Sequence, residues 1–182
     1  MLEIRIHGRG GQGAVTSAEL VAMAAIEEGK YAQAFPSFGP ERRGAPVTAF
    51  LRVDDKPIRL REKVYEPDVV VVLDPTVIEI AKVDDGLKKD GILVLNVGMS
   101  PDEARKQYGF SHRIAAVDAS HIALETLGLP ITNTVMLGAL VKATGLIQRD
   151  SIEGPLTHRF GRIAPKNQKA YDRAFDETKV EG

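Results

Sequence analysis

The stretch that most restricts how this chain folds lies at its start, where the hydrophobic period changes across six residues. Residues 2–7, Leu2-Glu3-Ile4-Arg5-Ile6-His7, alternate like a half-buried strand. Gly8-Arg9-Gly10-Gly11-Gln12-Gly13 follows at once. From Ala14 onward Ala18, Leu20, Val21, Ala24 and Ala25 recur at helical spacing, and Gly29 provides a stop. Strand, glycine loop and helix in this order are a Rossmann-like start. Gly8, Gly10 and Gly13 satisfy G-x-G-x-x-G, in which glycines allow a tight turn and close approach of a phosphate to the free N–H groups of a helix N-terminus. Gly8, Arg9, Gly10, Gly11, Gln12 and Gly13 are therefore candidate anion-binding residues. The bland alternative is a tight strand–helix turn that binds nothing.

Beyond the loop, strand and helix patterns alternate. Residues 31–35 read as a second strand placed beside the first, and residues 36–46, with three prolines and two glycines, as a loop. Residues 47–53 are β-rich, and Asp54-Asp55-Lys56 is expected to turn them back into a hairpin with residues 57–60. Residues 69–73, Val-Val-Val-Val-Leu, suit a parallel strand covered on both faces. A helix is expected over 76–82, strands over 91–97 and 113–117, and a helix over 101–107. After Asp118 the pattern is helical, broken at Gly128-Leu129-Pro130 and near Gly145, and residues 167–178 form a charged last helix. The fold class expected is α/β, a three-layer, mostly parallel sheet flanked by helices, with a β-hairpin insertion and a helical C-terminus. One domain over residues 1–182 is expected.

Composition narrows the chemistry. Lys plus Arg number 24 and Asp plus Glu 25, a net charge of −1, which gives no case for nucleic acid or an anionic membrane as partner. With no cysteine, the chain cannot form a disulfide, a thiolate nucleophile, a Cys-ligated zinc site or a Cys-ligated iron–sulfur cluster. No basic segment leads into an apolar one at the N-terminus, and the purely apolar run 69–73 is far too short to span a bilayer. A soluble, cytoplasmic protein is expected.

A dinucleotide site would carry an acid near the end of the second strand, about 20 residues past the loop. Residues 31–35 have none, and Glu27 and Glu28 come too early, which turns the loop away from NAD. Arg42 and Arg43 supply a second half to an anion site, in a loop bounded by Pro40 and Pro46. From Arg42 to Arg61 the basic residues Arg42, Arg43, Arg52, Lys56, Arg59 and Arg61 face only Asp54 and Asp55, so a solvated loop or a subunit-docking surface is the competing reading. His7 reads as a hydrogen-bonded structural histidine, and Glu41 as an orienting partner for the arginines. Asp74 and Asp118 sit at strand ends where helix caps are needed; Asn133 also reads as an N-cap, with a ligand role left open. His112, His121 and His158 lack ligand spacing, so no metal is assigned, and no arrangement points to a catalytic residue.

Residues 7–13 (His-Gly-Arg-Gly-Gly-Gln-Gly) together with 35–47 (Phe-Pro-Ser-Phe-Gly-Pro-Glu-Arg-Arg-Gly-Ala-Pro-Val) resemble the gamma subunit of 2-oxoacid:ferredoxin oxidoreductases, most closely the pyruvate and 2-ketoisovalerate type. The likeness continues through Lys56-Pro57-Ile58-Arg59, residues 65–74, Pro130-Ile131-Thr132-Asn133-Thr134 and residues 136–140. This resemblance implies an enzyme that decarboxylates a 2-oxoacid, most simply pyruvate, to acyl-CoA and CO2 and passes electrons to ferredoxin, or runs in reverse as a synthase. It implies thiamine diphosphate, Mg and iron–sulfur clusters on alpha, beta and delta-type partner subunits, and no activity for the isolated chain. In single-chain relatives the equivalent domain lies over the active site and helps hold coenzyme A. Gly8 to Gly13 and Arg42-Arg43 match the positions involved by place, although those relatives commonly have Lys where this chain has Arg; Asn133 belongs to a further matching motif. Three readings remain: a subunit that binds and orients coenzyme A, a purely structural subunit of the same complex, or a standalone nucleotide-binding protein.

Overall fold

The computed structural model describes residues 1–37, 39 and 42–181. Along the chain run β1 (Leu2–Arg9), α1 (Ala14–Glu27), β2 (Tyr31–Pro36), β3 (Pro46–Asp54), β4 (Val69–Val72), a 3-10 turn (Pro75–Val77) entering α2 (Ile78–Ala81), β5 (Ile92–Asn96), α3 (Pro101–Tyr108) and β6 (Arg113–Val117). The C-terminal part holds α4 (Ala119–Leu127), α5 (Asn133–Thr144), α6 (Glu153–Phe160), α7 (Ala164–Glu177) and the short β7 (Lys179–Val180). The strands form one sheet in the order β2-β3-β1-β4-β5-β6-β7. β1, β4, β5 and β6 pair in parallel, whereas β3 is antiparallel to both β1 and β2, and β7 to β6. The sheet is mixed, with only β3 and β7 opposing the common direction.

Side-chain alternation in the central strands builds two cores. Val69, Val71, Ile92, Val94, Ala115 and Val117 face a layer made by α1 and α4 to α7. Val70, Val72, Leu93, Leu95, Ile114 and Ala116 face α2 and α3. This is why residues 69–73 read as an unbroken apolar run: both faces are covered, and each fully buried aliphatic side chain contributes about 1.5–3 kcal/mol. In β1, Ile4 and Ile6 enter the first core. Glu3, Arg5 and His7 lie on the opposite face, where Ala81 at the end of α2 flanks Arg5 and His7.

Two sequence expectations fail, for identifiable reasons. Residues 57–60 form no strand, so the hairpin with 47–53 does not exist. Both edges of β3 are already taken, by β1 from Leu2↔Val53 to Arg9↔Pro46 and by β2 from Tyr31↔Asp54 to Pro36↔Ala49. Pro57 also lacks an N–H for a ladder. Residues 55–68 instead cross the face opposite α1, held where Gln33 Nε2 donates to Leu60 O (2.9 Å) and Arg52 Nη2 to Lys63 O (3.2 Å). The second expectation, β2 beside β1, fails because β3 lies between them. The Rossmann-like start is thus confined to strand, loop and helix. β7, which pairs with Ala115 and Ala116, was not foreseen; two residues carry no periodicity. Among the described residues no helix is long and apolar enough to cross a membrane.

Candidate functional site

The glycine loop emerges from the C-terminal end of β1 at the edge of the sheet. Gly13 takes a left-handed conformation (φ 81°, ψ 32°) as N-cap of α1, and no side chain caps that helix. A residue with a Cβ would be strained there, and the first N–H groups of α1 are left without helical partners. Gly10 serves close approach rather than conformation. Its N–H donates to Ala45 O (2.8 Å), its carbonyl accepts from Gly44 N (3.1 Å), and a Cβ at this position would lie 2.3 Å from Arg42 O. Residues 8–13 and Arg42-Arg43, expected from the sequence as two halves of one anion site, therefore have their backbones laid directly on one another at Gly10. Arg42 and Arg43 are exposed, and neither forms an ion pair among the described residues. Pro40 and Glu41, assigned above to stiffen this loop and orient its arginines, lie outside the described residues.

Arg9 and Gln12 spend their side chains on tying this edge together. Arg9 donates through Nε to Thr76 Oγ1 (2.9 Å) and through Nη1 to Gly44 O (2.9 Å). Gln12 Oε1 accepts from Arg9 N (2.7 Å), while its Nε2 donates to Asp74 Oδ2 (2.7 Å). Asp74 also caps the 3-10 turn, accepting from Thr76 N (2.9 Å) and Thr76 Oγ1 (2.7 Å). Partial burial raises the Asp74 pKa, but the hydrogen bonds from Thr76 and Gln12 outweigh it and hold the carboxyl below its ordinary range. Asp118 caps α4 by accepting from His121 N (3.0 Å).

Asn133 is not an N-cap. Thr132 holds that position, and its Oγ1 donates to Leu73 O (3.1 Å), which leaves Asn133 as the first residue of α5. The reason is contact with the glycine loop: Asn133 is 7% exposed, and a Cβ on Gly13 would come within 2.5 Å of its Nδ2. The starts of α1 and α5 thus abut, and two positive helix ends share one corner of the sheet. No local signal links Gly13 to Asn133, which is why the sequence treated them separately. His7 lies one residue before the loop, on the other face of the sheet; its Nε2 accepts from Arg5 Nε (3.0 Å). Burial, with the Arg5 charge, lowers its pKa to about 3, so the ring is neutral. His121 faces Glu125 (3.1 Å), and no metal-binding cluster occurs among the described residues. This corner can bind an anion through N–H groups and guanidiniums. Among the described residues it offers no nucleophile with an adjacent base.

The model of the family described as pyruvate ferredoxin/flavodoxin oxidoreductase matches residues 3–177. The chain belongs to this family. Within the pyruvate ferredoxin/flavodoxin oxidoreductase family it is 57% identical over 182 residues to the common gamma subunit of the pyruvate and ketoisovalerate oxidoreductases of Pyrococcus abyssi, covering 99% of this chain and 98% of that one. Its fold matches the crystal structure of the pyruvate oxidoreductase subunit PORC from Thermotoga maritima with a TM-score of 0.88, at 42% identity, over 100% of this chain and 98% of that one. By these measures the chain is of the gamma-subunit type, in a family whose enzymes are oxidoreductases acting on an oxo group. The same fold occurs within the longer 2-oxoglutarate:ferredoxin oxidoreductase of Magnetococcus marinus, where the match covers 95% of this chain and 30% of that one, with a TM-score of 0.77 and 23% identity.

Proposed function

We propose that this gamma-type chain binds and orients coenzyme A for a 2-oxoacid:ferredoxin oxidoreductase, most simply one that uses pyruvate. The observation that carries this reading is the seating of the Arg42 backbone and the turn through Gly44 on Gly10, in the loop that leads into the uncapped start of α1, with both arginines exposed. The fit can be judged from the cradle itself. Gly11, at φ +91°, has nothing within 4 Å of the place where a Cβ would stand, while Gly13 is closed on one side by Asn133. An open backbone with free N–H groups at paired helix starts suits a pyrophosphate, and a guanidinium pair suits a terminal phosphate; coenzyme A carries both. Arg9 and Gln12 act here by positioning the two loops, and Asn133 by fixing the wall of the cradle.

The thiol of coenzyme A accepts the acyl group in the overall reaction. This chain's part is to hold the phosphate end so that the thiol is delivered in a fixed direction, an effect on the order of several kcal/mol for a bimolecular step. Without cysteine it cannot ligate iron–sulfur clusters through thiolates, and among the described residues no cluster of His, Asp and Glu is placed to hold a metal such as the Mg that accompanies thiamine diphosphate. Those groups are assigned to alpha, beta and delta-type partner subunits, with ferredoxin as acceptor, in a cytoplasmic complex in which residues 1–182 act as one domain. The double variant Arg42→Ala/Arg43→Ala, purified in the assembled complex, is expected to raise the KM for coenzyme A about tenfold or more and leave the 2-oxoacid KM nearly unchanged. Unaltered coenzyme A kinetics would sink the assignment. Loss of assembly in a pull-down would instead make the arginines docking residues.

A further inference from the structure

The face of β1 to β3 turned away from α1 is ruled into rows by the strand register. Gln33, Arg52 and Glu3 form one row; Phe35, Phe50 and Arg5 the next; and β1 and β3 continue with His7 opposite Thr48. Ser37 extends that third row, its N–H donating to Thr48 O (2.8 Å). The first row is covered by residues 55–68: Arg52 is 1% exposed and bonded to Glu3, Gln33 and Lys63 O. The other two rows floor a cavity of about 250 Å³, with Arg5, His7, Ser37, Thr48 and Phe50 at its base. Lys63, Val64, Tyr65, Ala81, Lys82 and Asp85 complete its lining.

Its charged lining residues are Arg5, Lys63 and Lys82 against Asp85, a cationic excess. His7 accepts from Arg5 at Nε2, so Nδ1 carries the ring's remaining N–H. The hydroxyls of Ser37 and Thr48 stand in the same row and make no side-chain hydrogen bond among the described residues, and the exposed Lys63 and Lys82 belong to the lining. Arg5 is already committed to Val83 O (3.0 Å) and to the carbonyl of Asp85, with the Asp84 and Asp85 charges nearby. The rim carries an exposed aromatic: Tyr65, a lining residue, is 66% exposed. A dissolved small acid would leave that rim wet. A chain segment with a carboxylate anchor and an apolar flank would cover both.

We propose that this cavity docks an Asp or Glu side chain on a segment of a partner subunit of the oxidoreductase. Its carboxylate accepts from the Ser37–Thr48–His7 row and pairs with Lys63 and Lys82, while Tyr65 is buried against the apolar residues beside it. A large exposed aromatic next to a polar pocket is the kind of anchor that dominates interface energetics. The cavity lies on the face opposite α1, so the proposal does not depend on coenzyme A binding at the glycine loop.

The test uses the full chain co-expressed with its partner subunits and recovered through a tag on a partner. Tyr65→Ala/Lys82→Glu changes only exposed positions and is expected to lower co-recovery about tenfold, with an unchanged thermal midpoint for the isolated chain. Thr48→Val, which keeps the side-chain shape and removes the row's central hydroxyl, is expected to weaken assembly by a few-fold. Leu129→Ser/Ile131→Ser, on the exposed apolar patch between α4 and α5, is expected to assemble normally. Normal co-recovery of the Tyr65 and Lys82 double variant overturns the proposal, as does loss of assembly confined to the Leu129 and Ile131 variant. A chemical-shift response of His7 in the isolated chain to millimolar acetate would assign the cavity to a free small acid and overturn it as well.

Discussion

The sheet is continuous across β1, but the strands on its two sides are built differently. On one side β4, β5 and β6 are parallel, apolar on both faces and covered by helices above and below. On the other, β3 and β2 are antiparallel, with one face buried under α1 and the other bearing Gln33, Arg52, Glu3, Arg5, His7 and Thr48. The first half is held by burial, which is indifferent to pH and to which aliphatic residue fills a site, provided volume is kept. The second is held by hydrogen bonds and ion pairs whose strength depends on protonation. The proposed coenzyme A site and the proposed docking cavity both fall on the second side or at its junction with the first, where the glycine loop, the Arg42-Arg43 backbone and the start of α5 meet.

The sharpest contrast should come from a cavity in the parallel half. Leu93 is fully buried in β5 against Val70, Val72 and the α2–α3 layer. Leu93→Ala is expected to lower unfolding free energy by about 2–5 kcal/mol in urea titrations, with coenzyme A and 2-oxoacid kinetics of the surviving folded protein unchanged. A cavity there that altered the KM for coenzyme A would show that the two halves are mechanically coupled, and the comparison would fail.

A pH titration sharpens the other half. The folded-state pKa of His7 is lowered to about 3 from its ordinary 6.5, first by burial and then by Arg5. Between these values the unfolded chain takes up a proton that the folded chain refuses, so stability must fall as pH falls from about 6.5 toward 3. The groups facing His7 include Arg5, Lys63 and Lys82, which oppose its protonation, and Asp85, which favours it. From pH 6.5 to about 5 this one group should cost ~2 kcal/mol, at 1.36 kcal/mol per unit. Urea midpoints measured across that window should slope in the wild type and flatten in His7→Asn. Equal slopes in the two proteins would mean that the ring is not held neutral by this face.

The two halves also differ in how far the sequence exposes them. The unbroken apolar run at 69–73 and the strand at 113–117 lie within a residue or two of the strands found, because a parallel strand covered on both faces writes its burial into every position. The loop from Gly8 to Gly13 was legible for the same local reason: strand, turn and helix follow one another directly. The polar half was not. The hairpin expected at 57–60 was ruled out by β1 and β2 occupying both edges of β3, a fact about pairing partners that local turn chemistry does not contain. Asn133 was expected to cap its own helix, but its side chain is drawn onto Gly13, 120 residues earlier. Arg52 looked like one more member of a basic stretch, yet it is the buried fastener of residues 55–68.

The smallest expected effect separates two aspartates that looked equivalent in the sequence. Asp74 and Asp118 each follow a strand and cap the helical turn after it, through Thr76 N at 2.9 Å and His121 N at 3.0 Å. Removing either cap should cost about 1 kcal/mol. Asp118 has no link to the glycine loop, so Asp118→Ala should leave the KM for coenzyme A unchanged. Asp74 also accepts from Gln12 Nε2 and faces Arg9, the residues that fasten the loop to Thr76 and Gly44. Asp74→Ala should therefore carry a similar stability loss and, in addition, a few-fold rise in that KM, because the loop's N–H groups would no longer be held in one arrangement. Measured together in the assembled complex, the pair isolates positioning from capping. Identical kinetics for both variants would show that the Arg9–Gln12–Asp74 ties stabilise the fold without organising the site.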